Sequence, residues 1–213
     1  MKNQLVPQDV QAMFLKLGQD LSDAEQTLTQ LDSAIGDGDL GMTLKIGFRE
    51  IQKLLTAQTF DSISAILTES ADVFSEKAAS TFGTLLTVMM NSAGKAAAPL
   101  AQIGTQEAAD LLEVAAASVQ KRGKAKLGDK TLLDALLPAV DSLKDSAAKG
   151  LPLPQASQLA LEQAKAGAES TISMKARAGR SGYLGDRTIG QKDPGAAAIV
   201  IILQSFDSYI AQP

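Results

Sequence analysis

The segment LDSAIGDGDLGMT carries Asp32, Asp37 and Asp39, three carboxylates within a stretch of eight residues. Carboxylates so close repel one another, and a cation between them removes that cost. Hard oxygen ligands of this kind suit Mg2+, which takes a few carboxylates together with phosphate oxygens and water. Gly36, Gly38 and Gly41 interleave the acids, allowing sharp turns and the close approach of a bulky ligand. A helix expected to start around Gly41 to Thr43 points its unpaired N–H groups and positive dipole end at any bound anion. The same residues also fit an ordinary interhelical turn, with Asp39 capping the next helix and the other two aspartates solvated. An EF-hand calcium loop fits poorly, because counting from Asp37 places Gly41 and Phe48 where oxygen ligands belong.

Two further stretches are rich in glycine and charge. KRGKAKLGDKTLLDALLP ends one helix on basic residues, turns at Gly128, and restarts with Asp129 and Thr131 near a helix N-terminus; taken alone, a well-capped connection explains it better than a site. MKARAGRSGYLGDRTIGQKDPGAAA holds Arg177, Arg180 and Arg187, three of the chain's five arginines. Arginine is the side chain best shaped to grip phosphate. So long a stretch with little periodicity is functional or disordered, and Tyr183, Leu184 and Ile189 give it anchors that disorder lacks. Asp193-Pro194-Gly195 closes it as a turn opening the last helix. Ser80, Thr81 and Thr84 around Gly83 place hydroxyls at another helix start, where they serve either phosphate or capping.

The elements that must position these residues are helical. Val10, Met13, Phe14 and Leu17 share one face of 8–17, and Leu21, Leu28 and Leu31 continue the pattern over 20–31. Further helices are expected over 42–57, 61–78, 83–98, 106–121, 131–148, 154–173 and 194–211. Asp61 with Ser62, and Thr105, mark starts; Gly104, Gly128, Gly150, Pro152 and Pro154 punctuate. AIVIIL at 198–203 is the nearest approach to a strand, but Ala196, Ala197, Leu203 and Phe206 extend it at helical spacing. The expectation is an all-α fold of eight or nine helices, one domain over 1–213. In an up-and-down bundle the three irregular stretches, 32–43, 121–131 and 175–195, fall at one end.

Composition narrows the chemistry. Hydrophobic residues make up 45% and aromatics 4% of 213 residues, which suits closely packed Ala/Leu helices. With no cysteine and no histidine, thiolate nucleophiles, histidine bases and Cys- or His-bound metals are excluded. A net charge of −4 argues against nucleic acid as a partner. No apolar run approaches the roughly 20 residues that span a bilayer, and MKNQLVPQDV lacks the apolar stretch of a secretion signal. A cytoplasmic protein is expected.

In their order and spacing, LDSAIGDGDLG, RGKAKLGDKTLLD and ARAGRSGYLGDRTIGQKDPGAA resemble the L subunit, or C-terminal L domain, of dihydroxyacetone kinases, over nearly the full chain. The resemblance implies a barrel of eight antiparallel helices with ADP or ATP across one rim. It makes Asp32, Asp37 and Asp39 the ligands of two Mg2+ ions bridging the nucleotide phosphates. Gly41, Met42 and Thr43, with Ser80, contact the phosphates; Leu40 and Ala79 are further nucleotide-binding positions, Leu40 without the phosphate contact of the family's histidine; Gly123 and Leu132 line the base and ribose pocket. Arg180, Asp193, Pro194 and Gly195 close over the nucleotide, with Arg180 as the catalytic charge. The sequence departs from the family at Leu40, where a histidine is common, and at KAAST, where the family has a glycine-rich GGASG.

The implied reaction is phosphoryl transfer to a small ketose such as dihydroxyacetone, held covalently by a histidine of a separate K subunit, which this histidine-free chain cannot supply. The phosphoryl source is either ATP as substrate or a phosphotransferase-system subunit that recharges a retained ADP, the second being favoured. A kinase for a tetrulose and a nucleotide sensor without turnover are the alternatives, and a homodimer is a further expectation.

Overall fold

A computed structural model describes residues 1–78 and 80–212. The chain opens with α1 (Pro7–Asp23), α2 (Glu25–Ile35), α3 (Leu40–Ala57) and α4 (Ile63–Lys77). It continues through α5 (Thr81–Ala96), α6 (Thr105–Gly123), α7 (Leu133–Ala148), α8 (Leu153–Ser170) and α9 (Pro194–Ile210). Short 3₁₀ segments, Thr171–Ser173 and Arg180–Thr188, lie between α8 and α9. No strand forms among the described residues; Leu5 and Ile103 make one isolated antiparallel bridge.

Local chemistry sets the helix starts. Ser62 caps α4 by accepting from the Ala65 amide at 3.3 Å, so of the Asp61–Ser62 pair it is Ser62 that starts the helix. Thr105 is not the cap of α6: Gly104 is, and its amide donates to Glu107 at 2.9 Å. Pro7 and Pro194 occupy first helical positions, where a missing N–H costs nothing. The 198–203 run is helical, burying Ala198, Ile199 and Ile202 along one side of α9.

Eight helices close a ring in the order α1, α3, α4, α5, α6, α7, α8, α9, with α9 returning to α1. The amide of Lys2 donates to the carbonyl of Ile210 at 2.9 Å, fastening that seam. Short turns make sequential neighbours antiparallel. α2 is the ninth helix; it continues from α1 past a break at Ala24 and packs on α3 and α9 at one end of the ring.

The core runs through the ring without interruption and includes Leu17, Leu21, Leu44, Ile51, Ile63 and Phe74, each 1% exposed or less. Phe48 meets Phe74 edge to face at 5.8 Å, a pair worth about 0.5–1.5 kcal/mol beyond its area. Inside the ring lies an apolar cavity of about 200 Å³. Small residues let the helices close in. Pro138, inside α7, has no N–H for the carbonyl of Asp134, and α8 approaches that carbonyl so closely at Gly167 that any Cβ there would overlap it. No helix among the described residues is long and apolar enough to cross a membrane.

Candidate functional site

The ring brings four helix starts, those of α3, α5, α7 and α9, to the same end. Each leaves backbone N–H groups without intrahelical partners and each presents a positive dipole end. An anion at this end meets the field of several helices at once. The three irregular stretches meet here, as up-and-down topology requires, although α2 runs on to Ile35 and shortens the first to a turn of four residues, 36–39.

Asp32 therefore sits in the last turn of α2, not in a loop, and is 8% exposed. One of its oxygens accepts from the Leu40 amide at 3.1 Å. Asp32, rather than Asp39, thus satisfies the first amide of α3; Asp39 stands at the cap position with its side chain free of the helix. Gly36 leaves room for the Asp32 carboxylate, and Gly38 makes the turn with φ at 76°. Oxygens of Asp32, Asp37 and Asp39 lie within 4.8 Å of one another. Arg180 forms an ion pair with Asp37 and approaches Asp39 at 3.6 Å. Despite that guanidinium, burial and then the charge of Asp32 push the Asp39 carboxyl above the ordinary aspartate range. More negative charge is gathered here than one arginine offsets, and the donors are all hard oxygens, so the set fits a divalent cation such as Mg2+.

The opposite wall comes from the start of α9. Asp193, 6% exposed, caps it by accepting from the Ala196 amide at 2.7 Å. Its carboxyl is pushed up to about 7, first by burial; the Ala196 bond pulls it down, Asp134 raises it, Lys130 lowers it and Asp32 raises it. Gly195 packs against Leu132 and Phe82, where a Cβ would lie 3.3 and 3.4 Å from their side chains. The turn before α7 is tied by Asp134, which accepts from the amides of Gly128 at 2.6 Å and Thr131 at 2.7 Å.

Together these residues line a cleft of about 130 Å³. Leu40, Phe82, Leu85, Leu132 and Pro194 supply apolar lining and the aspartates, Arg180 and Lys130 charged lining, a mixture that suits a ligand with an apolar ring and an anionic tail. Of the residues expected at the site, Asp32, Asp37, Asp39, Leu40, Leu132, Arg180, Asp193, Pro194 and Gly195 line the cleft. Gly41, Met42 and Thr43 form the first turn of α3 behind Leu40. Gly41 is there for packing as well, since a Cβ would overlap the Glu25 carbonyl of α2. Ser80 caps α5 by accepting from the Gly83 amide at 3.0 Å, and its neighbours Thr81, Phe82 and Leu85 supply the lining. Gly123 ends α6 beside Leu85 and one layer back. Ala79 lies outside the described residues.

Leu85, Lys130, Ala178 and Ser181 line the cleft without having been singled out by sequence. Lys130 is the substantive omission: a lysine in a basic stretch reads as surface, and only the tertiary fold buries it.

Residues 34–208 match the sequence pattern of the DAK2 domain. The chain is 34% identical over 189 residues to the ADP-binding subunit of the PEP-dependent dihydroxyacetone kinase of Escherichia coli, covering 89% of this chain and 90% of that one. It is 39% identical over 173 residues to the ADP-binding subunit of PEP-dependent dihydroxyacetone kinase 2 of Listeria innocua, covering 79% of each. The crystal structure of the dihydroxyacetone kinase of C. freundii with AMP-PNP and Mg2+ superposes with a TM-score of 0.74 at 27% identity; the match takes in 93% of this chain and about a third (33%) of that kinase. The fold, the order of the motifs and these matches agree, and the chain belongs to the DAK2 domain family.

Proposed function

We propose that this chain, as one unit over 1–213, is the nucleotide-binding subunit of a dihydroxyacetone-type kinase and holds ADP or ATP with two Mg2+ ions in the cleft at the α3/α9 end of the ring. The observation that carries the reading is the convergence of Asp32, Asp37 and Asp39 with Arg180 at the meeting of four helix starts. The three aspartates hold the metal; bound Mg2+ supplies neutralisation of the phosphate charge. The first-turn amides at Gly41 and Met42, the Thr43 hydroxyl, and Ser80 next to Ala79 would supply contacts to the phosphates. Leu132 would bound the base and ribose, with Gly123 behind Leu85, and Asp193 to Gly195 would close the wall. Arg180 is the residue placed to meet charge that builds on the phosphoryl group in transfer, where positioning and electrostatics supply most of the catalysis.

The acceptor is a small ketose presented by a separate K subunit, a reading supported by the likeness to ADP-binding subunits of dihydroxyacetone kinases; this histidine-free chain does not carry the ketone-holding histidine that the resemblance assigns to that subunit. The 34% and 39% identity to ADP-binding subunits of PEP-dependent kinases supports ADP as a retained cofactor, recharged by a phosphotransferase-fed subunit in the cytoplasm. A second reading, with ATP as the exchanging substrate, draws on the likeness to the C. freundii kinase seen with AMP-PNP.

Reconstitution tests the reading. The chain is mixed with a purified K subunit, dihydroxyacetone, Mg2+ and either ATP or a phosphotransferase donor mixture, and product phosphate ester is measured. Product that requires both the K subunit and this chain is expected, with the donor mixture outperforming ATP. No product with either donor, over a panel of trioses and tetruloses, contradicts the kinase role.

A further inference from the structure

Lys130 lies in the turn between α6 and α7 with its backbone in the left-handed region (φ 60°) and 1% of its surface exposed. That backbone is costly for a lysine, and removing its ammonium from water costs more. Both penalties are offset by three carbonyls: Nζ donates to those of Met174 at 3.1 Å, Thr188 at 2.5 Å and Gln191 at 2.6 Å. An ammonium has three donors, so the carbonyls use all of them and none is left for a phosphate.

The three acceptors mark the entry, the far side and the exit of the segment that crosses the cleft between α8 and α9. Arg180 lies between the first and second, and Asp193 follows the third. Neighbouring bonds fasten the same segment: the Arg177 amide donates to the Asp129 carbonyl at 3.0 Å, and the Ala176 amide to the Thr188 hydroxyl at 2.9 Å. Without the ammonium these two bonds remain, but the segment loses the single donor group that ties its entry to its exit. We propose that Lys130 is a positioning residue, which fixes the crossing segment so that Arg180 stands over Asp37 and Asp39. Its effect on the ligand passes through Arg180, and in that respect the inference rests on the nucleotide reading above.

The test is a double-mutant cycle on the full chain, with ADP affinity measured calorimetrically in the presence of Mg2+. K130M and R180A are each expected to weaken binding by at least about tenfold. The double variant is expected to be no more than about threefold weaker than the weaker single one, because the two act as a unit. Losses that multiply overturn the proposal, as does wild-type affinity in K130M. If K130M does not fold, K130Q, which keeps part of the donor capacity, carries the same cycle. A second arm needs no nucleotide: tryptic cleavage after Arg177, Arg180 and Arg187 is expected to speed up about tenfold in the variant, with other sites unchanged. Equal cleavage rates overturn the positioning role. Accelerated cleavage in a chain that binds no nucleotide overturns the nucleotide reading while upholding the fastening.

Discussion

Replacing Asp193 by Asn separates its charge from its capping role. The asparagine Oδ1 can still accept from the Ala196 amide, so the start of α9 keeps its cap. What disappears is a carboxyl that titrates near 7 in the fold because it is buried, against about 3.9 in an unfolded chain. The folded state therefore holds this proton more tightly than the unfolded state. The stabilisation that follows is fully present below the unfolded pKa and is lost as pH rises through the folded one. The two values differ by about 3 pH units at about 1.4 kcal/mol each, so the full loss between pH 4 and pH 8 is about 4 kcal/mol. Urea unfolding followed by circular dichroism, without nucleotide or Mg2+ and at half-unit pH steps, reads the difference between wild type and D193N. That difference is expected to move in favour of D193N by about 4 kcal/mol across the range, steepest between pH 4 and pH 7. Parallel stability curves would refute the claim that the fold buries this charge at a cost.

Asp37→Ala is expected to leave the helical spectrum unchanged and to weaken Mg2+-dependent ADP binding by about a hundredfold, roughly 3 kcal/mol, as measured by calorimetry. Gly167→Ala reverses a general rule. Alanine normally stabilises a helix interior by about 1 kcal/mol over glycine, but here its Cβ overlaps the Asp134 carbonyl. A net loss of about 1–3 kcal/mol and a lowered melting temperature are expected, and a raised melting temperature would show that α8 can back away from α7.

Much of this was legible in the sequence because helix signals are local. The apolar spacing of α1 and α9 and the glycine and proline punctuation sufficed to mark the elements. The common end of the three irregular stretches follows from short connections alone. What was not legible depends on distant partners. Asp32 reads as a loop residue until α2 is seen to run on to Ile35, and its bond to the Leu40 amide spans a turn. Thr105 looks like a cap, yet the Gly104 amide and Glu107 do that work. Gly41 suggests ligand approach, yet the Glu25 carbonyl of a neighbouring helix also demands it. Lys130 was least legible of all, because its three acceptors lie 44 to 61 residues away.

The most direct measurement denatures freshly purified protein, kept in Mg2+ throughout, and identifies any released nucleotide by chromatography, with calorimetric titration of ADP and ATP into the emptied protein as its complement. Close to one ADP per chain is expected, bound in a Mg2+-dependent manner and lost in D37A. An empty protein that takes up ATP reversibly would shift the phosphoryl source to ATP and keep the site. A protein that releases no nucleotide and binds neither one, with or without Mg2+, would contradict the central claim.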